Sequence, residues 1–177
     1  MTLSSRTQDL RATRQIREYT DEPVSEADLA ELLEVARWSG SSQNTQPWHF
    51  LVLTDPEDLA AVAAARDRIA WVAKAPLAIA LIMDGKNPDS ESYDEGRVTE
   101  RLLIAARKLG LGAGTAWLHN PETEAALRDR FAIPAERGFR SVVVIGHPLP
   151  GATHRLGRTT SGRKSISEVV SRGRLGA

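Results

Sequence analysis

The stretch Ser41-Ser42-Gln43-Asn44-Thr45-Gln46-Pro47-Trp48-His49-Phe50 holds the densest polar chemistry in the chain. The hydroxyls and amides of Ser41, Ser42, Asn44 and Gln46 stand just ahead of an apolar run, Phe50 to Leu53. Held at the mouth of buried structure, such side chains present donors and acceptors to a polar heterocycle or a phosphate. As a bare string the stretch also reads as a helix-to-strand connector made of loop formers. A second polar cluster lies near the start, where Arg11, Arg14 and Arg17 recur every third residue. Residues three apart are neighbours on a helix, so the spacing predicts a short helix over 8–17 with these guanidinium groups on one face. A third cluster runs from Gly157 to Ser165 and is a near miss to a P-loop, with Arg163 in the lysine position, so no Walker loop is expected. Arg163 and Lys164, with the hydroxyls around them, can still hold a single phosphate.

Other chemistries have less to stand on. Cys is absent, which removes disulfides, thiolate nucleophiles and Cys metal sites. His49, His119, His147 and His154 are scattered without metal-ligand spacing, so no metal is expected. No G-x-S-x-G elbow is present, and no pair of carboxylates is set up for acid–base work; Asp94, Glu95 and Glu100 read as acids near a helix start that favour its dipole. Gly110-Leu111-Gly112-Ala113-Gly114 is spaced G-x-G-x-G, with a helix before it and a strand after it. That order excludes a classical dinucleotide fingerprint and leaves glycines that stop a helix and permit a close backbone approach. Lys plus Arg and Asp plus Glu each total 23. A net charge of zero argues against a nucleic-acid binder. No apolar stretch reaches membrane-spanning length and the first residues lack a signal core, so a cytoplasmic protein is expected. Its 177 residues suit one domain, 1–177, able to bury roughly 70% of its unfolded surface.

Elements that position these clusters follow from pattern. Ser25-Glu26-Ala27-Asp28 is a capping box, and Leu29, Leu32, Leu33 and Ala36 continue at helical spacing, which predicts a helix over 25–38. Asp55-Pro56 opens an Ala-rich helix to about Arg68. Leu77 to Met83 is a continuous apolar run, expected as a strand buried on both faces. A polar loop is expected over 85–92, then a helix over 94–109 closed by Gly110. Strands over 115–118 and 141–145 flank a helix opened by Asn120-Pro121, and Ser165 to Glu168 predicts one more short helix. Residues 147–177 carry little apolar surface of their own, and a segment like this can serve to embrace a partner subunit. The four Trp residues are expected in the core or at a subunit interface, with Trp48 and Trp117 flanking the two most suggestive segments.

Several of these motifs, in order, resemble the FMN-dependent nitroreductase family. Thr13-Arg14-Gln15-Ile16-Arg17-Glu18-Tyr19 with Pro23-Val24 is similar to the family's Arg-Arg-Ser-Ile-Arg-x-Phe…Pro-Val. Ser41 to Trp48 is similar to its Pro-Ser-x-x-Asn-x-Gln-Pro-Trp, and Leu109-Gly110-Leu111-Gly112…Trp117 to its Gly-Leu-Gly-x-x-x-Trp. Val143 to Pro148 and Arg163 to Val170 resemble its C-terminus. The resemblance implies an α+β three-layer sandwich with a mostly antiparallel sheet, in an intertwined homodimer, residues 147–177 packing on the partner. It implies an FMN-dependent NAD(P)H oxidoreductase that reduces nitroaromatics, quinones or similar acceptors by ping-pong hydride transfer. In that reading the flavin carries the chemistry and no side chain is catalytic. Arg17 would face the flavin pyrimidine. Ser41, Ser42, Asn44 and Gln46 would bond the ring or ribityl chain from the other subunit. The backbone of Gly112, Ala113 and Gly114 would lie against the flavin, and Arg163 and Lys164 would take the phosphate. Thr13 and Gln15 depart from the family's Arg and Ser, and Gly40 from its Pro. Arg14 or Arg11 is the expected compensation at the phosphate. The same fold also accommodates flavin fragmentation, dehalogenation, deazaflavin use or a non-catalytic flavin-binding module.

Overall fold

The computed structural model describes residues 5–118, 121–152 and 163–175. Four strands form one sheet, β1 (Trp48–Leu53), β2 (Leu77–Met83), β3 (Gly112–Trp117) and β4 (Gly138–Gly146), in the order β1-β2-β4-β3 with every neighbouring pair antiparallel. The helices are α1 (Gln8–Ala12), α2 (Glu26–Arg37), α3 (Pro56–Ala64), α4 (Pro88–Lys108), α5 (Pro121–Arg130) and α6 (Ile166–Val169). Short 3-10 turns occupy Ser42–Asn44 and Asp67–Lys74.

Side chains alternate across the sheet. Ala78, Ala80, Ile82, Val142, Val144 and Ala116 point to one face and pack with Leu59, Val62, Ile69, Val72 and Leu127. Leu77, Ile79, Leu81, Val143, Ile145 and Ala113 point to the other and pack with Leu32, Ala36, Val98, Leu102 and Ala106. The result is three layers, with α2 and α4 on one face and α3, the 67–74 turn and α5 on the other. Every residue of β2 is buried, as its unbroken apolar run predicts.

Local signals set most boundaries. Ser25 accepts from the Asp28 N–H and caps α2, and Asp55 accepts from the Glu57 N–H ahead of Pro56. At the end of α4 the Leu111 N–H reaches Ala106 O and the Gly110 N–H reaches Arg107 O, with Gly110 at φ +77°, a Schellman cap. Three expectations are corrected. First, α4 begins at Pro88, inside the stretch expected as a loop, because Asn87 caps it through the Ser90 N–H. Asp94 and Glu95 therefore lie well inside the helix, and as buried groups they bind other chain segments rather than serve the helix dipole. Second, the glycines at 112 and 114 lie within β3. Third, the arginine-rich helix stops at Ala12 and residues 13–18 are outside any helix. The Thr13 N–H and Oγ1 both donate to Asp9 O and close the helix there.

Beyond Thr13 the chain runs along the outer edge of β3. The Ile16 N–H donates to Ala113 O (2.8 Å), and the Thr115 N–H donates to Gln15 Oε1 (3.3 Å). Tyr19 then crosses to the end of β4, where Thr20 N–H donates to His147 O and Leu149 N–H to Glu18 O. The Tyr19 hydroxyl donates to Ile16 O or Val144 O, both within reach. Burial raises its pKa above the ordinary value of 10. Among the described residues no helix is long and apolar enough to cross a membrane.

Two predictions test how this segment is held. A Cβ on Gly114 would meet Ile16 O at 2.5 Å, so Gly114→Ala is expected to lower stability by about 1–3 kcal/mol in urea titrations. Because the folded phenol holds its proton above the unfolded value of 10, stability present below that pH is lost as pH rises past it. Tyr19→Phe is expected to cost about 1–2 kcal/mol near neutral pH and to flatten that alkaline loss, read by urea unfolding at about pH 8 and about pH 10.5.

Candidate functional site

Outside the helix, Ile16 and Arg17 both lie against the glycine face of β3. Ile16 lies on Gly112, where a Cβ would meet its side chain at 2.8 Å. Gln15 and Arg17 touch, with Arg17 Nη2 donating to Gln15 Oε1 at 3.1 Å. The helical expectation grouped Arg11, Arg14 and Arg17; the structure instead turns Arg17 away to Gln15 Oε1 and the Trp71 ring.

A cavity of about 520 Å³ opens beside this segment, lined by Leu10, Arg11, Thr13, Arg14, Gln15, Glu100, Leu103 and Arg163. That volume lies in the range of small-molecule sites. Three arginines against one glutamate give its lining a positive balance, the chemistry that suits an anion. The structure thus brings together Thr13, Arg14, Gln15 and Arg163, drawn from the two ends of the sequence. Thr13 is nearly buried and its hydroxyl proton goes to Asp9 O, so it is not a donor for a ligand. Arg11, two residues earlier at the end of α1, lines the cavity as well. Arg14 is steadied by donating to Arg11 O (2.6 Å) and Thr13 O (2.7 Å). Lys108 at the end of α4 pairs with Asp9 at 2.8 Å, ties α1 to α4 and holds the Asp9 carboxyl below its usual pKa. Lys164 is exposed beside Arg163 and is not among the cavity-lining residues.

The Ser41–Gln46 loop is built separately. Asp94, 1% exposed, accepts from the Ser42 N–H (3.1 Å) and from Arg97 Nη1 (2.9 Å). Ser41 Oγ accepts from the Gln46 N–H at 2.8 Å. Arg101 Nη1 donates to Trp38 O at 2.9 Å and fixes the loop's approach. Gln43, Asn44 and Gln46 all have positive φ, between 48° and 57°. Their side chains, with that of Ser42, stand exposed.

The loop and the Arg17 segment do not meet within one chain. The loop leads into β1, one edge of the sheet, at the end where Trp48 pairs with Met83 and Met83 with Gly138. Arg17 lies outside β3, the opposite edge, beside Ala113 to Thr115, where Ala113 pairs with Ile145 and Ile145 with Leu77. Three strand spacings alone separate the edges by about 14 Å.

The β3 glycines receive side chains of the chain itself. Gly112 is covered by Ile16, and Gly114 by Ile16 O and the Trp71 ring, while Ala113 is buried under α2 and α4. Sequence reasoning gave Trp71 no role. Its ring lies under Arg17, 5.5 Å from Cζ to the ring centroid, and beside Tyr19 at 6.4 Å. An Arg and a Trp 54 positions apart carry no pairing signal in one sequence. No Trp is fully buried within the chain; Trp38 is 68% and Trp117 44% exposed. Among the described residues, no cluster of three metal-ligating side chains occurs. His119, His154, Asn120 and 157–162 lie outside the described residues.

The geometry can be set beside known proteins. A model of the nitroreductase family matches residues 10–87, which include both the Arg17 segment and the 41–46 loop. A protein of Archaeoglobus fulgidus provisionally named an NADH dehydrogenase/NAD(P)H nitroreductase is 36% identical over 142 residues, covering 76% of this chain and 80% of that one. A 5,6-dimethylbenzimidazole synthase of Rhodospirillum rubrum is 28% identical over 182 residues, covering 81% and 84%. Among solved structures, a provisionally named nitroreductase from Desulfovibrio desulfuricans in complex with FMN superposes with a TM-score of 0.81 at 29% identity over 96% of both chains. With sequence identity of this extent and a matching fold, the chain belongs to the nitroreductase family.

Proposed function

We propose that the protein is an FMN-dependent NAD(P)H oxidoreductase that reduces nitroaromatics, quinones or similar electron-poor acceptors. The observation that carries this reading is the cavity in which Arg163 converges with Arg11 and Arg14 beside Gln15. Bound FMN would accept a hydride from the nicotinamide and pass it to the acceptor that replaces it. Arg163, Arg11 and Arg14 would hold the phosphate by charge-assisted hydrogen bonds, with Lys164 at the rim. Arg17 would sit at the pyrimidine edge, where a cation favours added negative charge. No side chain need move a proton at the reacting atoms. The FMN-bound relative supports this assignment of cofactor.

Ser41, Ser42, Asn44 and Gln46 would complete the site from a second copy of the chain. The separation of the two sheet edges supports a shared site. So do the apolar side chains left exposed near the C-terminus, Ile166, Val169, Val170 and Leu175, and Trp38 just before the loop. In this reading 1–177 is one domain, 147–177 packs on the partner, and the homodimer works in the cytoplasm. The relative named as a 5,6-dimethylbenzimidazole synthase supports a second reading, the same fold and flavin site turned to a different flavin reaction. It is distinguished by its product: bound flavin is consumed rather than cycled.

Purified protein is expected to be yellow and to release FMN at about one per subunit on denaturation. Arg163→Ala should weaken FMN binding roughly tenfold to a hundredfold, measured by fluorescence quenching of added FMN. A colourless protein that takes up no FMN overturns the reading. If the site is shared, Arg17→Ala and Asn44→Ala variants, each impaired alone, should regain activity when dissociated and mixed. Random pairing leaves roughly a quarter of the sites free of both changes.

A further inference from the structure

Gln15 replaces a serine of the family pattern, and its side chain does not simply add to the anion cavity. Its Oε1 accepts from two donors at once, the Thr115 N–H of the β3 edge (3.3 Å) and Arg17 Nη2 (3.1 Å). The side-chain oxygen therefore stands where a backbone carbonyl of a paired strand would, and from that fixed point it holds the guanidinium. On a second side the guanidinium lies over the Trp71 ring at 5.5 Å, a cation–π contact. Trp71 reaches this position because residue 114 is glycine: a Cβ there would meet the ring at 3.1 Å. Tyr19, anchored between Ile16 O and Val144 O, lies tilted against the same indole.

We propose that Gln15 and Trp71 are positioning residues that fix the Arg17 guanidinium against the flavin and thereby set the cofactor's redox potential. The inference rests on the FMN reading above. A free arginine side chain samples many rotamers, and holding it in one concentrates its field at one place. A cation fixed at the pyrimidine edge favours the reduced, more negative ring over the oxidised one, so the potential rises with the order of Arg17. Gln15 also lines the cavity, while its oxygen is engaged by the chain itself. Gln15 thus joins the anion cavity to the Arg17 position.

The test is the midpoint potential of bound FMN, read by dye-equilibrated spectral titration of the reconstituted holoprotein, with FMN affinity measured alongside. Arg17→Ala is the reference and should lower the potential. Gln15→Ala and Trp71→Leu should each shift the reduced-to-oxidised preference by about tenfold, the size of one charge-assisted hydrogen bond, a fall of about 30 mV for a two-electron couple. Trp71→Phe, which retains a ring face, should restore most of the difference. The double variant Gln15→Ala/Arg17→Ala should fall no further than Arg17→Ala, because both changes remove one effect. If Arg17→Ala lowers the potential but Gln15→Ala leaves it at the wild-type value, the proposal is overturned and the flavin site stands. If Arg17→Ala leaves the potential unchanged, the placement of Arg17 fails and the proposal fails with it. Should Trp71→Leu not fold, the Gln15 variants decide the matter, since Gln15 lies at the surface of the segment.

Discussion

The candidate site depends on one contact, the docking of Ile16 onto the glycine face of β3. Gly112 and Gly114 have no Cβ, and the space a Cβ would fill is taken by Ile16 and by the Trp71 ring. A single ladder bond, Ile16 N–H to Ala113 O, sets the register, and the Gln15 side chain extends the pairing by one position. With the register fixed, Ile16 seats on Gly112 and Arg17 passes over Gly114 beside the Trp71 ring. The same docking covers the open edge of β3, which would otherwise present unpaired backbone groups.

Antiparallel order imposes the second constraint. With β2 and β4 at the centre, β1 and β3 are edges, and the polar loop ahead of β1 opens at the corner opposite the Arg17 segment. Any ligand that touches both sets of residues spans two chains or bridges the sheet. This topology gives physical content to the pairing of a polar loop with exposed apolar side chains at the C-terminus. The oligomeric state and the site are then one question rather than two.

Much of the frame was legible from residues. The unbroken run Leu77 to Met83, the Asp55-Pro56 start and the Gly110 stop each correspond to a local mechanism that needs no tertiary help. The arginine spacing misled because helix periodicity was read from three charges, while the apolar Ile16 and the β3 glycines that receive it lie about a hundred positions apart. Asn87-Pro88 is an N-cap followed by a favoured first residue, a local signal masked by the polar composition around it. Of the site, the segment pattern and Arg11 or Arg14 as partners of the cavity were visible, but not that Thr13 turns its hydroxyl inward or that Trp71 lies under Arg17. Those are contacts between distant positions, which a single sequence does not record.

The loop from Ser41 to Gln46 carries a further consequence. Three residues other than glycine hold left-handed backbone there, each at a cost of order 1 kcal/mol that the surroundings must offset. Asp94, buried in α4, secures the loop through Ser42, and Ser41 closes it through Gln46. The shape of the loop is thus held by hydrogen bonds from within the chain. Loop shape and helix packing share one fate: a change that loosens α4 at Asp94 would also release the left-handed backbone ahead of β1.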